Sequence, residues 1–294
     1  MVGRVTSFGT QAAANRLRYA AQADGHYESY FIRANHPLRP VGFWFRYTIF
    51  SPRGDSTAAE GEIWAIVFNG ETGRHLALKQ SRPLGQCQFG SALPAEIGDA
   101  LLMPDRAVGG IGQGKRSIAW DLDYAGSGPP LLLLPERRYT KRFPAAKALV
   151  SLPLARFDGA IAVDGETIQV EGWSGSQNHN WGSRHTDHYA WGQVAGFASH
   201  PESFLEVATA QLKLGPFWSP AFTPMVLRHR RKEYRLTGLV RALRATAKLD
   251  RFTFDFASRN AEVELLGSLS APAETFVGLV YRNPVERATE LTAA

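Results

Sequence analysis

Cysteine is almost absent from this chain. Cys87 is the only one in 294 residues, which excludes an intramolecular disulfide and any cysteine-rich metal centre. Long hydrophobic runs are missing too, since no window approaches the roughly 18 consecutive apolar residues of a membrane-spanning helix. Met1 to Asp24 also lacks the apolar stretch and small-residue cleavage site of a secretory leader, so a cytoplasmic location is expected. Charged residues are only 20 % of the chain and hydrophobic ones 44 %, a balance that excludes disorder and can fill two modest domains or one large β domain. The net charge of +6 favours anionic partners, but no nucleic-acid signature accompanies it, so nucleic acid is not an expected partner.

Helical periodicity is scarce after the first twenty-odd residues. Thr10 to Ala23 is alanine-rich and is expected to form a short, peripheral helix. Gly42 to Phe50 then reads as a strand with Phe43, Phe45, Tyr47 and Ile49 on one face and Trp44, Arg46, Thr48 and Phe50 on the other. Turns at Ser51–Asp55 and Asn69–Gly73 separate it from strands at Glu62–Phe68 and His75–Gln80, an up-and-down meander. A Gly- and Pro-rich stretch from Pro83 to Gly114 follows. It is no phosphate loop, because an alternating strand, Ser117 to Tyr124, comes next where such a loop would open a helix. Ala160 to Val170 reads as a hairpin with Asp164-Gly165 at its tip, and further strands fall at Phe204–Leu214, Ala261–Leu266 and Thr275–Arg282. Short strands with frequent turns predict an all-β protein, and the irregular stretch around Pro144 and Pro153 divides it into units 1–150 and 151–294.

The densest chemistry lies between Gly172 and Phe197. Its opening, Gly172 to Ser176, suits a tight or irregular backbone. From Arg184 an extended run would place His185, Asp187, Tyr189, Trp191 and Gln193 on one face. Aromatic rings mixed with a few polar groups are the composition of a ligand pocket wall, and equally of a rigid buried network in which amides satisfy indole and imidazole groups. Arg46 poses a similar question, since a cation on an aromatic strand needs either a buried acid such as Glu62 or the polar end of a ligand. Metal binding is not expected: His185 and His188 point to opposite faces of a strand, leaving only His179, His185 and Asp187 able to converge. The Ser174-Gly175-Ser176 run is no nucleophile elbow.

The run Gly175-Ser176-Gln177-Asn178-His179-Asn180-Trp181-Gly182, with Tyr189-Ala190-Trp191-Gly192 after it, resembles a lipocalin-like family. That family includes carotenoid 1,2-hydratases (hydroxyneurosporene synthases), AttH-type proteins and tocopherol cyclases. Its segment typically reads G-Y-H-D-H-N-W-G, so His179 to Gly182 match, while Gln177 and Asn178 stand where His and Asp are usual. The resemblance implies two lipocalin-like (calycin) antiparallel barrels with a short N-terminal helix, the second carrying the Asn-His-Asn-Trp-Gly segment, around a hydrophobic ligand.

The leading expectation is therefore binding of a terpenoid or lipid in a barrel pocket by Trp44, Arg46, Asn178, His179, Asn180, Trp181, His185, Tyr189, Trp191 and Gln193. The alternative, which the resemblance invites, is acid-catalysed hydration or cyclisation of an isoprenoid without a cofactor. It needs a buried protonated carboxyl and aromatic faces beside a developing cation. Asn178 cannot deliver a proton, so Asp187 is the first candidate acid and Glu206 the second. The basic cluster Arg228 to Lys232 reads either as a solvated hairpin tip or as a peripheral contact with an anionic membrane surface.

Overall fold

The structure is a computed structural model that describes residues 7–250, 252–285 and 289–293. Twelve antiparallel strands form the first sheet. Along its path run Arg74–Pro83, Glu60–Asn69, Val41–Ser51, His26–Asn35, Glu166–Gly182, Ala146–Val163, Arg116–Ala125, Arg106–Gln113 and three short strands between Cys87 and Leu102. Leu131–Leu132 pairs with the Ala146–Val163 strand. The sheet curls into a nearly closed barrel, and Gln80 Nε2 donates to the Gly112 carbonyl (2.8 Å) across the gap between the strands Arg74–Pro83 and Arg106–Gln113. The all-β class expected from the strand pattern is observed, with the barrel that the family resemblance implies.

Alternation decides which side chains fill the barrel. Phe43, Phe45 and Tyr47 point inward with Ile118, Trp120, Leu122 and Tyr124, as their spacing predicts, and Phe157 and Trp173 join them. Stacked pairs such as Phe45 with Trp120 (ring centroids 4.5 Å) and Tyr124 with Phe157 (5.1 Å) pack this interior. Burying each such ring contributes on the order of 1.5–3 kcal/mol. The barrel interior is thus packed with its own side chains.

Two local readings also change. The tight or irregular backbone expected over Gly172 to Ser176 is confined to Gly172, whose φ is +61°, and the stretch continues the seventeen-residue strand Glu166–Gly182. Its glycines allow close approach of neighbouring strands, since a Cβ at Gly175 would sit 1.9 Å from the Arg33 carbonyl oxygen and one at Gly182 2.2 Å from that of Ala145. The N-terminal helix is only Gln11–Ala14, and it is not peripheral, because Ala14 and Asn15 are buried. The Asp164-Gly165 tip, by contrast, has positive φ at both residues, as a two-residue hairpin turn demands.

The boundary expected at residue 150 falls within the strand Ala146–Val163, and the Asn178 to Gly182 segment pairs with His26–Asn35 in the first sheet. The segment is thus part of the first barrel, because the Asp164-Gly165 hairpin carries the chain back into it. Beyond Gly182 a second sheet follows, ordered His188–Phe197, His200–Gln211, Met225–His229, Lys232–Leu236. One face of it meets the sheet Thr246–Asp250, Thr253–Arg259, Glu264–Ser270 around Leu205, Val207, Met225, Leu236, Phe254 and Phe256. Its other face meets the barrel wall, where Phe204 and Val226 pack with Leu131, Leu133 and Val150.

Arg228 helps to join the halves, donating to the Pro129 (2.6 Å) and Pro130 (3.0 Å) carbonyls and to Glu233 (2.8 Å). Arg230 and Arg231 form the exposed hairpin tip. Among the described residues no helix is long and apolar enough to cross a membrane.

Candidate functional site

The strand Glu166–Gly182 splits its own motif. Side chains alternate across the sheet, so His179 and Trp181 point to the barrel side while Ser176, Asn178 and Asn180 face the second sheet. Trp181 is buried against Phe8, Leu132, Tyr139 and Leu149, a core position beneath the N-terminal segment. His179 belongs to a buried polar knot. Its Nδ1 faces the Ala14 carbonyl (2.8 Å) and its Nε2 a carboxylate oxygen of Glu28 (2.9 Å). Both ring nitrogens thus lie against oxygen atoms.

Glu28 accepts further bonds from Tyr30 OH (3.0 Å), His26 Nε2 (3.0 Å) and the backbone N–H groups of Arg18 and Tyr19 (2.8–3.0 Å). Burial alone would raise its pKa. The bonds from His179 and His26 outweigh that and hold the carboxyl at about 2. This knot ties residues 14–19 to the barrel end.

The outer face is different. Asn178 there joins Ser176, Gln193, Arg33 and Glu206 in a network between the two sheets. Gln193 lies directly opposite Glu206 in the second sheet. It donates to Asn178 Oδ1 (2.9 Å) and Glu206 Oε2 (2.7 Å), and accepts from Ser176 Oγ (2.6 Å) and Arg33 Nε (2.5 Å). Trp191 Nε1 donates to the other Glu206 oxygen (2.7 Å). Glu206 is 3 % exposed, and burial lifts its pKa to about 7 against the opposing pull of Trp191, Gln193 and Arg33.

Aromatic rings continue the layer. Trp191 meets Phe31 edge to face (centroids 6.0 Å) and Phe31 meets Trp44 likewise (5.7 Å). Trp191 is 38 % and Tyr189 42 % exposed, so the layer opens to solvent along the strand His188–Phe197. Arg46 lies next to Trp44 and under the rings of Trp64 and Tyr281 (5.1 and 4.8 Å). It donates to Ser29 Oγ and Tyr281 OH (both 2.8 Å), and Tyr281 OH in turn meets His185 Nδ1 (2.8 Å). Burial and the nearby Arg46 charge push the His185 pKa well below the usual imidazole range.

Of the residues selected from sequence, the structure gathers Trp44, Arg46, Asn178, Asn180, His185, Tyr189, Trp191 and Gln193 on this side of the sheet, and sends His179 and Trp181 to the other. Asp187 does not suit an acid: it pairs with Arg184 and accepts from the Lys213 backbone N–H (3.0 Å). Glu62 is not the direct partner of Arg46, because it already holds Lys79 (2.9 Å) and Arg282 (2.5 Å). Of the two acids selected from sequence, Glu206 is the one the structure buries, whereas Glu28 was not selected, since its strand also carries His26 and Arg33 and no lone charge marks it. The three candidate metal ligands disperse, with His179 on Glu28, His185 on Tyr281 and Asp187 on Arg184. A different set, His200, Glu202 and His229, brings ligand atoms within 4.8 Å of one another at the far end of the second sheet. Two surface hollows, about 520 Å³ beside Phe256 and Leu266 and about 170 Å³ beside His188 and Leu249, are lined by none of the residues of the Glu206 layer.

No family model matches the chain. Uncharacterized proteins from two strains of Mycobacterium tuberculosis are 27 % identical over 188 residues, 61 % of this chain. The chain spans about half (51 %) of the length of these curated relatives. Among solved structures, one from Nitrosomonas europaea described as an AttH superposes with a TM-score of 0.59 at 13 % identity, covering 95 % of this chain and 84 % of that one. Kievitone hydratase from Nectria haematococca gives 0.53 at 11 %, covering 86 % and 79 %. At these identities the likeness shows the fold alone, a lipocalin-like barrel architecture that this chain shares with those two structures.

Proposed function

We propose that the protein is an acid-catalysed hydratase or cyclase acting on a carbon–carbon double bond, with Glu206 as the proton donor. The observation that carries this reading is a nearly inaccessible carboxyl whose pKa lies at about 7, set beside the Trp191–Phe31–Trp44 row. A general acid works best when its pKa matches the operating pH. Protonation forms a C–H bond from the alkene π pair and leaves a carbocation on the adjacent carbon and a carboxylate on Glu206. The indole and phenyl faces stabilise that cation. Water, or an internal nucleophile of the substrate, then closes the C–O or C–C bond, and the proton released returns to Glu206. The fold is shared with a protein named as a hydratase, which supports the same class.

The test is incubation with a panel of prenylated phenols and linear isoprenoids in ¹⁸O-labelled water. Expected is a product one labelled water heavier, or an isomer of equal mass from cyclisation, and its loss in Glu206→Gln. Equal turnover by the variant would remove Glu206 from the reaction. Retention of an isoprenoid without turnover would favour the second reading, simple hydrophobic ligand binding by the same rings.

A further inference from the structure

Charge is not balanced in the part of the layer around Arg46. Three cations, Arg46, Lys79 and Arg282, share two carboxylates, Glu60 and Glu62, among the described residues. Lys79 and Arg282 take those carboxylates directly, whereas Arg46 feels Glu62 only through space and bonds directly to hydroxyls beneath aromatic faces. His185 adds no opposite charge. A guanidinium 2 % exposed without an ion-pair partner is costly, and an incoming anion relieves that cost.

Unmet hydrogen-bonding capacity points the same way. Arg46 Nε, Trp44 Nε1 and Asn180 Oδ1 are buried without a partner. Trp44 and Arg46 are two apart on one strand face, and Asn180 lies directly across from Ser29, whose hydroxyl accepts from Arg46. Two donors and one acceptor are thus presented from neighbouring positions on one side of the sheet. From there the Trp44–Phe31–Trp191 row leads without interruption to Glu206.

We infer that the ligand is amphipathic and acidic: a carboxylate, phenolate or enolate oxygen pairs with Arg46 and Trp44, while its hydrocarbon part lies along the aromatic row toward Glu206. This rests on the reading of the layer as the reaction site and adds the substrate class. It excludes a plain hydrocarbon such as an unmodified carotene.

Farnesoate and farnesol are a matched pair of probes, differing only in the charged head. Binding to the whole chain at pH 7, followed by calorimetry and tryptophan quenching, is expected to favour farnesoate by about ten- to a hundredfold, the usual worth of a charge-assisted hydrogen bond. Arg46→Met should erase the preference and Arg46→Lys keep part of it. The wild-type comparison stands by itself if the methionine variant fails to fold. Equal affinity for the two probes overturns the inference. If Glu206→Gln still abolishes turnover in that case, the acid reaction survives and only the substrate class is lost. Binding of neither probe counts against both.

Discussion

Glu28 and Glu206 are the same residue in nearly the same degree of burial, yet one is held at a pKa of about 2 and the other at about 7. Donor number separates them. Glu28 receives two imidazoles, a phenol and two backbone N–H groups, while Glu206 receives one indole and one amide, with Arg33 reaching it through Gln193. Burial raises the proton affinity of any carboxyl, and hydrogen bonds to the ionised form or nearby positive charge reverse that. A fully satisfied carboxylate fastens structure. One left partly satisfied keeps a proton to give.

Breaking the Glu28 knot should have the largest effect. Glu28→Ala leaves buried His179 and His26 without their acceptor and should cost roughly 3–5 kcal/mol in urea unfolding, the usual loss when one member of a buried pair is removed. If the loss is below about 1 kcal/mol, the knot is not what fastens the N-terminal segment.

The two carboxyls should also give stability opposite slopes with pH. Glu28 sits at about 2 in the folded chain against an ordinary 4.5, so its contribution is complete above pH 4.5 and is lost as pH falls toward 2. Glu206 runs the other way. The folded chain keeps its proton up to about pH 7 while the unfolded chain releases it near 4.5, so stability declines as pH rises between those values. Unfolding of Glu206→Gln across that window should show the decline flattened; an unchanged slope would remove Glu206 as its source.

The smallest effect sharpens the contrast from within. Trp191→Phe deletes one of the two neutral donors to Glu206 and should raise its pKa further, moving the alkaline limb of the activity profile up by about one pH unit. A limb that stays put would mean that Trp191 serves only as a ring.

Much of the fold was legible from residue alternation. Phe43, Phe45 and Tyr47 against Trp44, Arg46 and Thr48, and the buried set Ile118, Trp120, Leu122 and Tyr124, fall where a period of two places them. The Asp164-Gly165 hairpin was equally plain. The site was legible in part. Starting the extended run only at Arg184 hid the fact that Asn178 and His179 face opposite sides, and Asp187 drew notice before Glu206 because it lies inside the aromatic segment. Its partner Arg184 is only three residues away, but the sequence did not show that the two pair.

By itself the sequence determined strand periodicity, the hairpin turns and the inventory of rings, amides and acids, because these depend on neighbours along the chain. Tertiary structure alone decided that the long hairpin returns its second arm to the first barrel, that Arg33 and Gln193, 160 residues apart, bond across two sheets, and that Glu206 is shielded while Asp187 is paired. The reason is physical: a carboxyl's readiness to give up a proton depends on solvent exclusion and on which donors converge on it, and contacts between distant segments set both.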